Sequence, residues 1–238
     1  VLETARLLAR EKETLRLHEE LRLAERIQRG LLPQEAPVID GYQIAGASWP
    51  AEVVGGDTYD HLLLDDGRLA LCLGDVSGKG LPASLLMANL QATLRAHAAQ
   101  NLACRDCVRW CNHLLFRATA AEKFATLFYG VLDVKSNTLA YCNAGHERPL
   151  LLRASGDVQR LATGGLVVGL MDDVDYEDAT VVLAPGDVVL AFSDGATDME
   201  DAQDVPFGED RLLTLLREHR ELTAAGIVDR IAAAIRAH

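Results

Sequence analysis

Three aspartates stand where a carboxylate is costly unless something positive meets it. Two apolar runs each lead into one: Leu69-Ala70-Leu71-Cys72-Leu73-Gly74-Asp75 and Val188-Val189-Leu190-Ala191-Phe192-Ser193-Asp194. The third, Asp57, closes Val54-Gly55-Gly56-Asp57. An ionised carboxylate at the end of a buried strand carries a desolvation penalty. Hard divalent cations with oxygen ligands are the usual compensation where several carboxylates converge. The pattern points to an oxygen-ligand metal site and to metal-assisted chemistry. A single Gly-Asp turn is ordinary at a protein surface; three of them, two on strongly apolar runs, form a constellation. Gly74-Asp75-Val76-Ser77-Gly78-Lys79-Gly80 is not a nucleotide-binding P-loop, because its glycine spacing is one short and Gly80 replaces the hydroxyl residue. It offers a carboxylate followed by backbone that can approach a ligand closely.

The elements that must aim these carboxylates are read along the chain. Residues 3–31 predict one long helix in which Leu7, Leu17, Leu21, Ala24, Gln28 and Leu31 fit an a/d heptad pattern. Arg10 and Thr14 interrupt the pattern, and Leu8, Leu15 and Ile27 widen its stripe. Such a helix either lies on its own domain or pairs with a second copy as a signalling linker; the chain opens in mid-helix, which favours the linker. Gly30-Leu31-Leu32-Pro33 ends it. Strands are expected at Tyr42–Trp49, Tyr59–Leu64, Arg68–Gly74, Phe124–Asp133, Thr138–Asn143, Pro149–Arg153, Val158–Leu161, Tyr176–Leu183 and Val188–Ser193. Most are joined by short turns such as Asp65-Asp66-Gly67 and Pro185-Gly186-Asp187. Helices are expected at Pro82–Ala99, Ala103–Ala120, Glu209–His219 and Thr223–Arg236, the first entered through a tolerated proline. Strands in runs with helices in pairs argue for an α+β fold with antiparallel sheets rather than a βαβ repeat.

The 238 residues suffice for one substantial core with a helical appendage. A net charge of −12 with no basic cluster argues against nucleic acid as a partner. No apolar run reaches the roughly 20 residues needed to span a bilayer, and no signal-peptide pattern opens the chain, so a cytoplasmic protein is expected. Cys104, Cys107 and Cys111, with His113 nearby, invite a zinc reading. Their spacings of three and four instead mark one helix face, where free cysteine behaves as a small buried hydrophobe.

Several segments, taken together and in order, resemble a known family. They are Gln28-Arg29-Gly30-Leu31-Leu32-Pro33, Val53-Val54-Gly55-Gly56-Asp57-Thr58-Tyr59-Asp60, Gly74 to Gly80, Asn143-Ala144-Gly145-His146, Ser193-Asp194-Gly195 and Phe207-Gly208-Glu209-Asp210-Arg211-Leu212. The chain from about residue 25 onward is similar to bacterial PPM-type (type 2C) Ser/Thr protein phosphatases. The branch is that of sporulation and stress-response phosphatases, which control anti-sigma-factor partner switching. The resemblance implies a four-layer α-β-β-α sandwich of two antiparallel sheets, over residues 32–238, preceded by an N-terminal coiled-coil or linker helix over residues 1–31. It also implies a centre of two Mn²⁺ or Mg²⁺ ions. Asp75 matches the carboxylate that bridges both ions, Val76 the residue lending a backbone carbonyl, and Asp57 and Asp194 the other acidic positions. A hydroxide held between the ions would attack phosphorus in line, with no protein nucleophile.

His146 is either a phosphate contact or a residue that fixes the Asn143–Gly145 turn. Lys79 either meets substrate phosphate or is solvated, and Asp60 and Asp198 either support the site or are merely exposed. The family pattern normally continues into an Asp-Asp-x-Thr-like segment and a last strand. This chain ends at Ile235-Arg236-Ala237-His238, so one metal position is expected to be weaker. The expected activity is hydrolysis of phosphoserine or phosphothreonine on a regulatory protein such as an anti-sigma-factor antagonist. Control would come from an upstream sensor or receiver domain through residues 1–31, with a homodimer formed by that helix. The alternative is a non-catalytic response-regulator adaptor that binds a sigma factor; retention of Asp57, Asp75 and Asp194 speaks against it.

Overall fold

The computed structural model of the chain describes all residues except 1, 51–52 and 120–122. In the first helix it describes no side chain at positions 2, 3, 5, 8 and 9, so the expected role of Leu8 lies outside it, as does the expected helix end at Ala120. The elements run in the order α1 (Leu2–Leu31), β1 (Thr58–Leu63), β2 (Leu69–Val76), α2 (Gly80–Ala98), α3 (Cys104–Ala118), β3 (Ala125–Asp133) and β4 (Thr138–Ala144). There follow β5 (Leu150–Leu152), β6 (Val158–Arg160), β7 (Gly164–Gly165), β8 (Ala179–Val182), β9 (Val188–Leu190), α4 (Glu209–His219) and α5 (Ala224–Ala237). Among the described residues this is a mixed α+β fold of two sheets and five helices.

The larger sheet has the order β1-β2-β3-β4-β7, with β8 also paired to β4; the smaller has the order β6-β5-β9. All pairings are antiparallel except β4 with β7. Period-two alternation along β2 explains the packing. Ala70 and Val76 face a cluster that also holds Met87, Leu90 and Leu94 of α2 and Cys107, Val108 and Cys111 of α3. Leu69 and Leu71 face the other way, into a cluster with Phe128, Leu132, Leu139, Tyr141 and Leu151, the last from the smaller sheet. A third cluster joins Leu150 and Leu152 to Leu212, Leu216, Ile227 and Ile231 of α4 and α5. Asp75 follows Leu69 and Leu71 in the odd-numbered set, so the face that builds the inter-sheet core ends on this carboxylate.

Helix boundaries follow the sequence expectations to within a residue or two. Pro82 lies in the first turn of α2, where a missing N–H costs nothing. Thr223 caps α5 by accepting the Gly226 amide at 3.1 Å. Cys104, Cys107 and Cys111 are buried on the core face of α3, and Cys142 joins them from β4. Burial pushes the Cys104 and Cys142 thiols up to about 12. This is a hydrocarbon-like packing role, not a thiolate metal site. No helix among the described residues is long and apolar enough to cross a membrane.

Three strand expectations need correction. Tyr42–Trp49 forms no strand; its only pairing is an isolated bridge from Ile39 to Tyr42. Tyr42 and Ile44 do pack against the inter-sheet cluster, and Tyr59 covers Gly46 and donates its hydroxyl to the Gly46 carbonyl at 3.1 Å. Alternation there reports burial without a ladder partner. The last strand stops at Leu190 rather than Ser193, and Asp194 opens a single 3-10 turn (Asp194–Ala196) three residues beyond the ladder. Asp75, conversely, lies inside β2, opposite Thr126, rather than beyond its end.

The end of α1 is stitched to the domain. Gln28 is buried, and its side chain clamps Gly55 by donating to the Gly55 carbonyl at 2.6 Å and accepting the Gly55 amide at 3.1 Å. Gln91 of α2 donates to the Leu31 carbonyl at 2.8 Å and to Asp60 at 3.1 Å. Asp60 is itself buried and paired with Arg95, whose Nη2 donates at 2.9 Å. That ion pair compensates the buried charge, so Asp60 serves the helix-facing side of the sheet and not the face that carries Asp75.

Candidate functional site

Tertiary structure brings Asp57, Asp75 and Asp194 within one another's electrostatic reach. Each is aimed by a different device. Asp75 is held by the β2–β3 ladder. Asp57 is carried on the loop before β1, and the Val76 amide donates to the Gly56 carbonyl at 3.3 Å. Gly56 has no room for a side chain, since a Cβ there would sit 2.5 Å from the Val76 carbonyl oxygen and 3.1 Å from Asp75 Oδ1. The glycine is what allows the Asp57 loop to lie against the Asp75-Val76 segment. Asp194 starts its 3-10 turn with its own carbonyl accepting from the Thr197 and Asp198 amides at 2.8 and 2.7 Å. Ser193 Oγ reaches toward Asp57 Oδ2 at 3.5 Å.

The electrostatics are those of an acid cluster short of positive charge. Burial raises the Asp75 carboxyl to about 7, helped by the charges of Asp57 and Asp194 and by the hydrogen bond it shares with Asp57. Asp57 is raised too, mainly by burial and then by Asp194. Its Oδ1 is buried without a hydrogen-bond partner. A proton shared between carboxylates and an orphaned oxygen are what all-oxygen donors show when no cation balances them. The donor set therefore fits Mg²⁺ or Mn²⁺ and suits no soft metal. The three side chains do not form a closed cage: among the described residues no three His, Cys, Asp or Glu groups converge tightly enough to enclose an ion. Lys79 is exposed at the N-cap of α2, and Asp198 is exposed beside Asp194.

His146 is buried beside this centre. Its Nδ1 lies 2.7 Å from Thr126 Oγ1, and Thr126 is the cross-strand neighbour of Asp75. Its amide donates to Asn143 Oδ1 at 2.8 Å, while Asn143 Nδ2 donates to the Leu161 carbonyl at 3.2 Å. The turn-fixing role is thus present. Burial pushes the imidazole down to about 4 from an ordinary 6.5. In the unfolded chain the ring protonates near its ordinary value, so the folded state loses stability as pH falls from 6.5 toward 4. This group's contribution, read by urea denaturation, should be about 2 kcal/mol less favourable at pH 5 than at pH 7, opposed over the same range by the raised Asp75 carboxyl. His146→Gln should remove that difference, and an unchanged pH slope in the variant would refute the assignment.

A cavity of about 470 Å³ opens beside His146, lined also by Glu147, Arg148, Arg160 and Glu209. Glu147 is raised by burial and then by Asp194, Asp198 and Glu209, which places the cavity next to the aspartate cluster. Sequence reasoning missed this cavity, because its walls come from β4, β6 and α4. It also missed the Gln28 clamp, since Gln28 was read only as a position of the heptad pattern; a polar residue there is a signal that the stripe meets backbone.

The family model described as Stage II sporulation protein E (SpoIIE) matches residues 65–238. Protein IcfG of Synechocystis sp. is 31% identical over 224 residues, covering 83% of this chain and 35% of IcfG. Phosphoserine phosphatase RsbU of Bacillus subtilis is 28% identical over 194 residues, covering 79% of this chain and 58% of RsbU. The chain thus spans well under two thirds of these relatives. In fold it resembles the SiaA-PP2C domain of Pseudomonas aeruginosa, with a TM-score of 0.77 at 20% identity over 94% of this chain and 90% of that one. The chain belongs to the SpoIIE family of PPM-type phosphatase domains.

Proposed function

We propose that the protein is a metal-dependent phosphatase that hydrolyses phosphoserine or phosphothreonine on a regulatory protein, such as an anti-sigma-factor antagonist. The observation that carries this reading is the acid cluster of Asp57, Asp75 and Asp194, held by three separate devices and lacking a compensating charge. The similarity to a protein named phosphoserine phosphatase supports it. Asp57, Asp75, Asp194 and the Val76 carbonyl would hold two Mn²⁺ or Mg²⁺ ions. Ions bound there supply an acidified water and neutralise phosphoryl oxygens.

The chain's own groups do the positioning. Gly56 keeps the Asp57 loop against Val76, Ser193 steadies Asp57, and the β2–β3 ladder fixes Asp75 beside Thr126. His146 stays neutral and holds the Asn143 turn behind the site. The test is Mn²⁺-dependent release of phosphate from a phosphoserine protein, and loss of that release in Asp75→Asn. No release by the full-length protein with either metal would sink the reading.

We read the architecture as residues 1–31 followed by an α-β-β-α domain over 32–238. The three apolar clusters support that layering. Residues 1–31 are proposed to pair with a second copy and to pass on the state of an upstream domain. Leu7 and Leu17, both on the a/d seam of α1, are exposed apolar residues, which supports a partner helix. A constant monomer mass in light scattering from micromolar to near-millimolar protein would count against the pairing.

A further inference from the structure

The cavity beside His146 is not used by the phosphate chemistry above. Its two arginines differ. Arg160 is held by Glu209, with Nε donating to Oε1 at 2.9 Å. Arg148 is exposed and enters no ion pair among the described residues. Glu147 beside it forms no ion pair with it: burial, Asp194, Asp198 and Glu209 raise that carboxyl, and Arg148 lowers it. His146 lines the same cavity, 6% exposed, locked through Thr126 and Asn143, with Nε2 buried and unpartnered. A buried polar atom left without a partner costs free energy that a bound ligand recovers. A concave polar site with a lone guanidinium and a preformed ring nitrogen is built for a ligand carrying both an amide backbone and an anion.

We propose that this cavity receives the residues flanking the phosphorylated serine, and that Arg148 selects an acidic side chain among them. The inference rests on reading the neighbouring aspartates as a phosphatase centre. Adjacency supports it: Thr126 touches His146 and stands opposite Asp75, and cross-strand neighbours lie about 5 Å apart. An extended peptide advances about 3.3 Å per residue, so positions one to three away from the phosphoserine reach the cavity. The guanidinium fork matches a carboxylate in a bidentate pair. On a chain of net charge −12, an unpaired guanidinium at the cavity mouth discriminates among anionic segments rather than attracting them all.

The experiment uses the full chain with Mn²⁺ and a set of phosphoserine heptapeptides bearing Glu, Ala or Lys in turn at each flanking position. Release of phosphate gives KM and kcat, and fluorescence anisotropy gives binding. At one or more positions the Glu peptide should show a KM and a Kd about ten-fold below the Lys peptide. Arg148→Lys should keep that order and Arg148→Glu should reverse it. A purely structural role for Arg148 would weaken all peptides equally, and an unchanged ranking in Arg148→Glu overturns the inference. Hydrolysis of p-nitrophenyl phosphate by the wild-type protein tests the phosphatase reading separately. If anisotropy shows the ranking but neither substrate releases phosphate, the phosphatase reading fails and the cavity assignment stands.

Discussion

Asp75→Asn is expected to lower Mn²⁺-dependent phosphate release by about a thousand-fold or more, corresponding to the several kcal/mol a Lewis-acidic cation supplies. Asp75 lies between Asp57 and Asp194 in its interactions, so its loss touches every position a cation would take. The same substitution should stabilise the metal-free protein at pH 8. The reason is the sign of the shift: Asp75 titrates near 3.8 when unfolded and at about 7 when folded. The metal-free fold therefore keeps the benefit of this protonated acid below 3.8 and loses it as pH rises to about 7. An amide of the same shape removes that loss. Added Mn²⁺ should raise the melting temperature of the wild type and raise that of Asp75→Asn far less. A variant that keeps its activity, or gains as much from Mn²⁺ as the wild type, would remove Asp75 from the centre.

Gly164→Ala should cost about 3 kcal/mol or more of folding stability, the upper end for overpacking. Gly164 pairs with Asn143 across the parallel β4–β7 contact, where the Asn143 amide donates to the Thr163 carbonyl at 2.8 Å. A Cβ on Gly164 would fall onto the Asn143 carbonyl and lie 2.5 Å from its amide nitrogen. Both neighbours are backbone, so neither can turn aside as a side chain would. The strain passes directly to Asn143, whose Oδ1 holds the His146 amide. Urea denaturation should show the lowered midpoint, and the affinity for phosphopeptides should fall with it. A midpoint equal to that of the wild type would mean that β7 is not held where it is described.

Asp57 and Asp75 were legible in the sequence because they are half-buried charges that need a compensating group, whereas Asp194 is exposed beyond a half-buried strand and stood out through its Ser-Asp-Gly context. Helices α2 to α5 were legible because spacings of three and four, as at Cys104, Cys107 and Cys111, map directly onto a buried stripe. Register and partner choice were not. The Tyr42–Trp49 segment shows the same alternation as a strand, but Tyr42 and Ile44 are half-buried against the inter-sheet cluster without a ladder and Trp49 is exposed. Gly164-Gly165 carries no alternation at all, yet pairs, because two glycines let backbone approach backbone. The cavity was invisible for a related reason. Arg148, Arg160 and Glu209 are far apart in sequence, and each alone is an unremarkable surface charge.

All five cysteines lie on one side of the molecule. Cys104, Cys107, Cys111 and Cys142 belong to the cluster under α2 and α3, and Cys72 packs against it; the layer of α4 and α5 contains none. With Cys104 and Cys142 raised to about 12, fewer than about one in ten thousand of these thiols is ionised at pH 7.5 while folded. Alkylation of Cys104 and Cys142, both buried, therefore waits for that half of the protein to open. The chain carries a built-in clock for half of its own structure: the labelling rate times the loosening of the α2–α3 side and is blind to fraying of the other.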